Sequence, residues 1–271
     1  MRRSMDVYYL SGSTGILAKD IGKALLCQFP KVKFNEELIP FIRTESKARE
    51  ARKHIFRKST RQRPLVLSTL LTKEFNTFFN TPEVHFINIF DHFLVKMEDF
   101  IETEALWISG ASRTTDKETM VRRVEAIHYC IDHDDGLCTR DYDDAEVIIL
   151  GVSRSGKTPV SVFLATQMGI KTANYPLVRE DLDSFRLPPY IIKNKKKVVG
   201  LSVSPNLLHQ YREHRYAGSD YASLSTCSDE IHMANMLYLN YQIPIVMGEG
   251  KSIEETAVQV TQELNLACSL T

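Results

Sequence analysis

The sequence has no apolar run long enough to cross a bilayer, no net charge and no closely spaced cysteine pair. Its 34 Lys and Arg residues balance 34 Asp and Glu residues, so no overall field attracts nucleic acid or an anionic membrane. The N-terminal residues lack the apolar core of a signal peptide. We therefore expect a soluble cytoplasmic protein that binds neither nucleic acid nor membranes. The dispersed cysteines, which indicate neither a zinc site nor a disulfide framework, are Cys27, Cys130, Cys138, Cys227 and Cys268.

Strand-like and helix-like patterns alternate along the first half of the chain. The apolar run Val7–Leu10 meets a turn of small residues, Ser11–Gly15, and then a helical pattern. A further helix is predicted over Glu45–Arg57, and further strands over Leu65–Thr69 and Val84–Phe90. Strands that alternate with helices indicate a parallel, doubly wound sheet. The turn Ser11–Gly15 resembles an anion-binding nest without the full dinucleotide fingerprint, and a plain tight turn is the simpler interpretation.

The second half repeats this alternation. Residues 116–131 have helical spacing and are followed by a polar, acidic segment over residues 137–144, which predicts a domain boundary. We expect an α/β protein with a Rossmann-like domain over residues 1–140 and a P-loop kinase-like domain over residues 141–271. The strands predicted in the second domain are Glu146–Leu150, Lys171–Leu177, Lys197–Val203 and Ile243–Met247.

A phosphate-binding loop is the strongest motif. Residues 151–158 match G-x-x-x-x-G-K-[ST] at every fixed position, between an apolar strand and a helical pattern. The glycines let successive N–H groups face one anion, Lys157 supplies a cation for the terminal phosphates, and Thr158 supplies a hydroxyl for Mg²⁺. This context argues against a chance match in a strand-to-helix turn. The predicted phosphate-binding residues are Gly151, Val152, Ser153, Arg154, Ser155, Gly156, Lys157 and Thr158.

Charged residues outside the fixed positions leave alternatives open. Arg154 could clamp a transferring phosphoryl group or pair with a carboxylate. Asp181 follows the next predicted strand, where a Mg²⁺ ligand would fit beside Thr158, although a polar loop explains it equally well. Asp134 and Asp135 lie at a predicted helix end, where acidic groups are mildly unfavourable, so they are candidates for a base that accepts a hydroxyl proton. The candidate catalytic residues are thus Lys157, Asp134, Asp135 and Arg154.

Nearly the whole chain resembles the bifunctional regulatory proteins of phosphoenolpyruvate synthase and of pyruvate, phosphate dikinase. The most specific part is Gly151–Pro159 followed by Ala173–Pro176. The other matching segments are Val7–Gly15, Arg63–Val66, His133–Gly136, Val199–Ser202 and Lys251–Ala257.

The resemblance implies two activities on one protein substrate. One is an ADP-dependent kinase that phosphorylates a threonine near the target's catalytic histidine, with Mg²⁺ as the expected cofactor. The other removes this phosphate with inorganic phosphate and releases pyrophosphate. The Gly156-Lys157 form of the loop favours phosphoenolpyruvate synthase over the dikinase as the target. Two other functions stay open: an ATP-dependent kinase of a small metabolite and a nucleotide-sensing module without turnover. The candidate assembly is a homodimer.

Overall fold

A computed structural model describes residues 4–59, 62–108 and 117–266, and the chain divides into two units, Met1–Thr114 and Thr115–Thr271. This division comes earlier in the chain than the expected boundary after residue 140. The reason is the helix after the division, which was assigned to the first domain from the sequence. Its residues Ala126 and Cys130 are buried against Ala165 of the second unit. Residue 116, the first of this predicted helix, lies outside the described residues.

The first unit contains a parallel four-stranded sheet in the order β2-β1-β3-β4. Its elements are β1 (Ser4–Leu10), α1 (Ile16–Leu26), β2 (Lys33–Ile39), α2 (Glu45–Lys58), β3 (Leu65–Ser68), α3 (Lys73–Thr77), β4 (His85–Asn88) and α4 (Asp91–Ile101). The predicted strands and helices are confirmed, but β2 was missed. This edge strand is largely polar and has no fully buried residue, and its sequence, KFNEELI, lacks the alternation of a half-buried strand.

Internal hydrogen bonds hold the turn between β1 and α1. The Ser11 hydroxyl accepts a hydrogen bond from the Ser13 backbone N–H at 3.1 Å, and the Arg43 side chain donates to the Gly12 carbonyl at 3.0 Å. Gly15 has φ of +78°, and a Cβ there would come within 2.4 Å of the Leu38 side chain. The positive φ therefore favours glycine, and a larger residue would also have to displace the Leu38 side chain.

The second unit contains a parallel four-stranded sheet in the order β6-β5-β7-β8. The main elements are α5 (Lys117–Asp132), β5 (Val147–Gly151), α6 (Lys157–Met168), β6 (Thr172–Pro176), α7 (Arg179–Ser184), α8 (Pro189–Lys193), β7 (Val198–Ser202), α9 (Pro205–Glu213), α10 (Leu224–Asn240), β8 (Ile245–Met247) and α11 (Ile253–Glu263). Short 3₁₀ turns cover Asp134–Gly136, Thr139–Asp144, Lys195–Lys197 and Asp220–Ala222. All four strands predicted for this half are confirmed.

Both faces of this second sheet are covered by apolar residues. Val147 and Ile149 of β5 pack with Leu164 of α6 on one face, while Ile148 and Leu150 pack with residues of α10 on the other. Every residue of β5 is buried, as expected for an inner strand of a parallel sheet with helices on both sides. The loop after β5 therefore leaves the sheet near its centre, where crevices form in open α/β sheets.

In the described part of the chain, no helix is both long and apolar enough to cross a membrane. The described cysteines are free thiols, and Cys268 lies outside the described residues.

Candidate active site

The P-loop bends sharply between the last residue of β5 and the first turn of α6. Gly156 and Arg154 both have positive φ, +97° and +73°. A Cβ on Gly151 would come within 2.5 Å of the Ser155 hydroxyl oxygen and 3.1 Å of the Leu201 carbonyl oxygen. The two glycines of the motif are thus required by the backbone conformation at one position and by close packing at the other.

The Lys157 side chain is enclosed within the loop. It is 4% exposed, and its Nζ donates to the carbonyl oxygen of Val152 at 3.0 Å. Burial lowers the pKa of Lys157 to about 8, against the opposing effect of the Asp135 and Asp134 carboxylates. A partly desolvated cation at the start of a helix is well suited to a phosphate ligand, because the anion supplies the charge that the enclosed site lacks.

The acidic turn, residues 133–136, lies directly beside the P-loop. Asp134 accepts a hydrogen bond from the Thr158 hydroxyl at 2.9 Å and another from the Asn174 side-chain amide. The side-chain oxygen Oδ1 of Asn174 in turn accepts a hydrogen bond from the Asp135 backbone N–H at 2.9 Å. One side chain on β6 therefore holds both aspartates of the turn in place against the first turn of α6.

Asp135 differs from its neighbour in being open to the cavity. Asp135 is exposed, has φ of +49° and lines the same cavity as Lys157 and Thr158. Among the described residues, none donates a hydrogen bond to the Asp135 carboxylate. Of the two carboxylates, Asp135 also has the larger effect on the pKa of Lys157. The turn thus presents one carboxylate already used as an acceptor and one that is open to a ligand.

A buried arginine supports the P-loop from behind. Arg212 of α9 is fully buried, and its Nε and Nη2 donate to the Ser153 carbonyl oxygen at 3.3 and 3.0 Å. Its Nη2 also pairs with Glu230 at 2.6 Å. Its guanidinium lies 4.0 Å over the Tyr221 ring, and the Tyr221 hydroxyl donates to the Ser153 hydroxyl oxygen at 2.8 Å. These contacts give Arg212 a supporting position beneath the P-loop.

The P-loop opens into a cavity of about 820 Å³. Arg154 of the P-loop, His214 and Arg215 after α9, and Lys251 before α11 contribute basic side chains to its lining. Asp135 is the acidic residue of that lining. A volume of this size falls in the range of sites that hold a nucleotide-sized ligand rather than a single phosphate.

A profile of the kinase/pyrophosphorylase family matches residues 7–261. The chain belongs to this family. It is 52% identical over 265 residues to a protein of Desulfotalea psychrophila, with 98% of this chain and 97% of the relative covered. It is 37% identical to proteins of Acinetobacter baylyi, over 96% of this chain and 95% of the relative, and of Laribacter hongkongensis, over 98% and 99%. All three relatives are named, provisionally, phosphoenolpyruvate synthase regulatory protein.

The family match spans the P-loop, the acidic turn and Asn174 together. Of the site residues predicted from the sequence, the structure brings Arg154, Lys157, Thr158 and Asp135 to one cavity and joins Asp134 to Thr158. Asn174 was noticed in the sequence only as part of the matching segment Ala173–Pro176. Its role in the site depends on contacts with residues 16 and 40 positions away in the chain, for which the sequence offers no local signal.

Asp181, the predicted metal ligand, lies in a different environment in the structure. It does not line the cavity, and its carboxylate accepts hydrogen bonds from the Tyr175 hydroxyl at 3.0 Å and the Val178 backbone N–H at 3.1 Å. It therefore caps the start of α7. Nearby Asp183 pairs with Arg179 on the surface.

The residues beside the P-loop suit a magnesium ion better. No group of three or more His, Cys, Asp or Glu side chains with metal-binding geometry is found in the described ranges. Mg²⁺ in phosphoryl-transfer enzymes needs no such group, since it is held by one or two oxygen ligands, substrate phosphates and water. The Thr158 hydroxyl and the Asp134 carboxylate, 2.9 Å apart, supply oxygen ligands of this kind.

Proposed function

We propose that this protein transfers the β-phosphoryl group of ADP to a threonine of phosphoenolpyruvate synthase and removes it again with inorganic phosphate. Membership of the kinase/pyrophosphorylase family and the names of the relatives support the pair of activities and the target. The observation that carries the proposal is the position of Asp135, an open carboxylate on the same cavity as the enclosed Lys157. A phosphate site with an adjacent proton acceptor fits transfer to a hydroxyl group.

In the phosphorylation reaction, the threonine oxygen attacks the β-phosphorus of ADP. The bond from this phosphorus to the bridging oxygen breaks, AMP leaves with that oxygen, and the hydroxyl proton passes to Asp135. We assign the base to Asp135 because Asp134 already accepts hydrogen bonds from Thr158 and Asn174. The P-loop N–H groups and Lys157 stabilise the charge on the phosphoryl oxygens, and Arg154 can reach the same group from the loop.

In the reverse reaction, inorganic phosphate lies in the P-loop and attacks the phosphorus of phosphothreonine. The bond to the threonine oxygen breaks and pyrophosphate forms. Asp135 accepts a proton from the attacking phosphate and passes it to the threonine oxygen. The P-loop binds a chain of phosphates without determining which bond breaks. The same site can therefore bind ADP in the phosphorylation reaction and pyrophosphate in the reverse reaction.

Magnesium is the expected cofactor of both reactions. In this chain the Thr158 hydroxyl and the Asp134 carboxylate would hold it, and it would neutralise charge on the phosphates. The hydrogen bond between them keeps both oxygens on the same side of the P-loop. Asp181 is not assigned to the metal, because its carboxylate bonds Tyr175 and Val178, whereas that of Asp134 bonds Thr158 of the P-loop.

The direct test is phosphorylation of purified phosphoenolpyruvate synthase. The protein and the synthase are incubated with ADP or with ATP, and peptides are analysed by mass spectrometry for a threonine that gains one phosphate. We expect transfer from ADP and none from ATP. Transfer from ATP alone would indicate an ordinary kinase, and no transfer from either would indicate a binding module. Pyruvate, phosphate dikinase serves as the alternative protein substrate.

A matched pair of lysine variants ties the activity to the P-loop. Lys157→Met keeps the aliphatic length of the buried side chain and removes its charge, so both activities should be lost while the fold is retained. Lys196→Met removes an exposed lysine from the 3₁₀ turn before β7 and should leave both activities unchanged. Normal activity of a folded Lys157→Met protein would exclude the P-loop as the working site.

A further inference from the structure

One side of α5 presents apolar side chains to solvent. Met120, Val124 and Ile131 are 63%, 45% and 63% exposed, and Ile127, which lies between them, is partly buried. Their positions correspond to i, i+4, i+7 and i+11, which places all four on one face of a helix. Single exposed apolar residues are common on protein surfaces, but a row of them along one helix is typical of a surface that a partner covers.

The helix that carries this row is fixed to the second unit. Another side of α5 packs on α6, where Ala126 is fully buried. Arg122 donates a hydrogen bond to the Gly169 carbonyl oxygen at 3.2 Å, and Arg123 donates one to the Gln167 carbonyl oxygen at 3.2 Å. Both carbonyl groups lie at the end of α6. The exposed row therefore has a defined position relative to the P-loop, from which α6 begins.

The exposed row ends at the acidic turn. Ile131 lies in the last turn of α5, and Leu137, which directly follows the acidic turn, is 60% exposed. The Leu137 backbone N–H donates to the Asp134 carbonyl oxygen at 3.1 Å, while the Asp135 backbone N–H is bonded to Asn174 of β6. Exposed apolar side chains thus flank Asp135 on both sides in the chain, in a segment that hydrogen bonds hold in place.

Access to Asp135 favours one occupant for this surface. On the proposed function, a threonine of a folded protein must come within hydrogen-bonding distance of the Asp135 carboxylate. The surface around that threonine must then lie over the residues next to the acidic turn, among them Ile131 and Leu137. A second copy of the chain on the same residues would obstruct the approach of the protein substrate.

The charged residues along α5 are paired within the second unit. Arg122 pairs with Glu146 at 3.0 Å, and the Glu125 carboxylate lies 3.6 Å from the Lys171 ammonium group. The exposed row therefore offers a partner apolar contact rather than charge of one sign. A helix with apolar residues at this spacing fits an apolar groove or patch on a folded protein.

We infer that the α5 stripe, which consists of Met120, Val124, Ile127 and Ile131, forms together with Leu137 the surface on which the protein substrate docks. The inference rests on the proposed function, because that function makes the acceptor a folded protein. The P-loop binds the phosphates, whereas the docking surface binds the protein. The affinities for the nucleotide and for the protein substrate should therefore change independently.

Steady-state kinetics of Ile131→Gln test this division on the full-length protein. The variant places a polar side chain in the docking surface, so we expect the KM for phosphoenolpyruvate synthase to rise by about tenfold or more. The kcat at saturating synthase and the dissociation constant for ADP should change by less than about twofold, because the P-loop and Asp135 are unaltered. Ile131→Leu keeps the surface apolar and should retain the wild-type KM. Isothermal titration calorimetry measures ADP binding.

Leu239→Gln is the matched control. Leu239 is 63% exposed, as Ile131 is, but lies at the end of α10. Its carbonyl oxygen accepts the Gln242 N–H at 3.0 Å, shortly before β8 begins, so it lies at the edge where the parallel strands start. The acidic turn and the P-loop lie at the edge where the strands end. The KM for the synthase should stay at the wild-type value. An unchanged KM in Ile131→Gln, or an equal rise in both variants, would overturn the docking surface.

The same assay separates this inference from the proposed function. Wild-type transfer to the synthase with an unchanged KM in Ile131→Gln would overturn the docking surface alone. If the wild type transfers no phosphate to the synthase, the proposed function fails, and the docking surface fails with it. Analytical ultracentrifugation at the assay concentration tests the other occupant. A wild-type dimer that Ile131→Gln converts to a monomer would assign the surface to a second copy and overturn the inference.

Discussion

Arg212 donates two hydrogen bonds to the carbonyl oxygen of Ser153, from a position that solvent does not reach. The same guanidinium pairs with Glu230, whose side chain is 16% exposed. The outer part of the P-loop is thus fixed to α9 and α10 by one cation. This support leaves Arg154, the next residue of the loop, in a left-handed conformation with its side chain on the cavity.

Removing this cation should strongly destabilise the protein. Arg212→Met leaves Glu230 and the Ser153 carbonyl without their partner in a buried site, a loss for which about 3–5 kcal/mol is typical. Arg179→Met breaks a surface pair with Asp183 and should cost less than about 1 kcal/mol. Urea denaturation of the two variants measures both losses. Similar losses in the free energy of unfolding would mean that the buried pair stabilises the protein no more than the exposed pair does.

The two aspartates of the acidic turn should separate in their effects. Asp135→Asn cannot accept the threonine proton and should lower the kinase rate by about a hundredfold or more, with ADP affinity little changed. Asp134→Asn retains an oxygen that can accept from Thr158 but lacks the charge, so it should mainly raise the Mg²⁺ concentration needed for half-maximal rate. Initial rates over a range of Mg²⁺ concentrations test both expectations. A wild-type kinase rate in the Asp135→Asn variant would show that Asp135 is not the base.

Phosphate binding should weaken as the pH rises through 8. Burial lowers the pKa of Lys157 from its ordinary 10.5 to about 8, so in the free protein its charged form is lost above that pH. A phosphate ligand favours the charged form, and binding above pH 8 must therefore take up a proton. Pyrophosphate titrations in two buffers of different ionisation enthalpy measure this uptake. Lys157→Met should abolish it, and a pH-independent affinity between pH 7 and 9 would contradict the prediction.

The lowered pKa of Lys157 affects folding stability in the opposite direction: stability increases as the pH rises. Between about pH 8 and 10.5 the unfolded chain holds a proton on Lys157 that the folded protein has released. Stability rises with pH wherever the unfolded state binds more protons, so this residue contributes a gain over that interval. Comparing denaturation curves of the wild type and Lys157→Met at pH 7.5 and 9.5 isolates the contribution.

ADP and inorganic phosphate should compete. If one P-loop serves both directions, each ligand needs the same backbone N–H groups and Lys157. Raising ADP should therefore suppress dephosphorylation competitively with respect to phosphate, and raising phosphate should suppress phosphorylation. Steady-state inhibition measured in both directions decides this point. Purely non-competitive behaviour would require a second anion site.

The P-loop could be predicted from the sequence because its requirements are local. The motif needs two glycines, a lysine and a hydroxyl residue at fixed positions within eight consecutive residues. A strand before it and a helix after it complete the pattern. Asn174 and Arg212 could not be assigned in this way, because their roles depend on partners 39 or 40 and 59 residues away in the chain. The role of Asp181 could not be decided from the sequence either, since a carboxylate after a strand suits a metal ligand and a helix cap equally well.

The fold was predictable where burial imposes a pattern. The inner strands β1, β3, β5 and β7 are largely apolar, and all four were predicted. The edge strand β2 was not, because solvent on its polar side chains removes the signal. The assignment of α5 to one of the two units shows another limit of the sequence. Helical spacing predicts that α5 exists, but only the contact of Ala126 and Cys130 with Ala165 reveals which core it joins.

Every strand pairing in the two described sheets is parallel, and this affects how the chain folds. Parallel neighbours cannot be joined by a tight hairpin, so each pairing waits for the closure of a long crossover. The pairing of β5 with β7 brings together residues about fifty positions apart, such as Ile148 and Val198. Loop closure must precede such contacts, which makes parallel sheets slow to fold. Because each sheet is built from its own continuous stretch of chain, β1–β4 can pair while the ribosome is still making β5–β8.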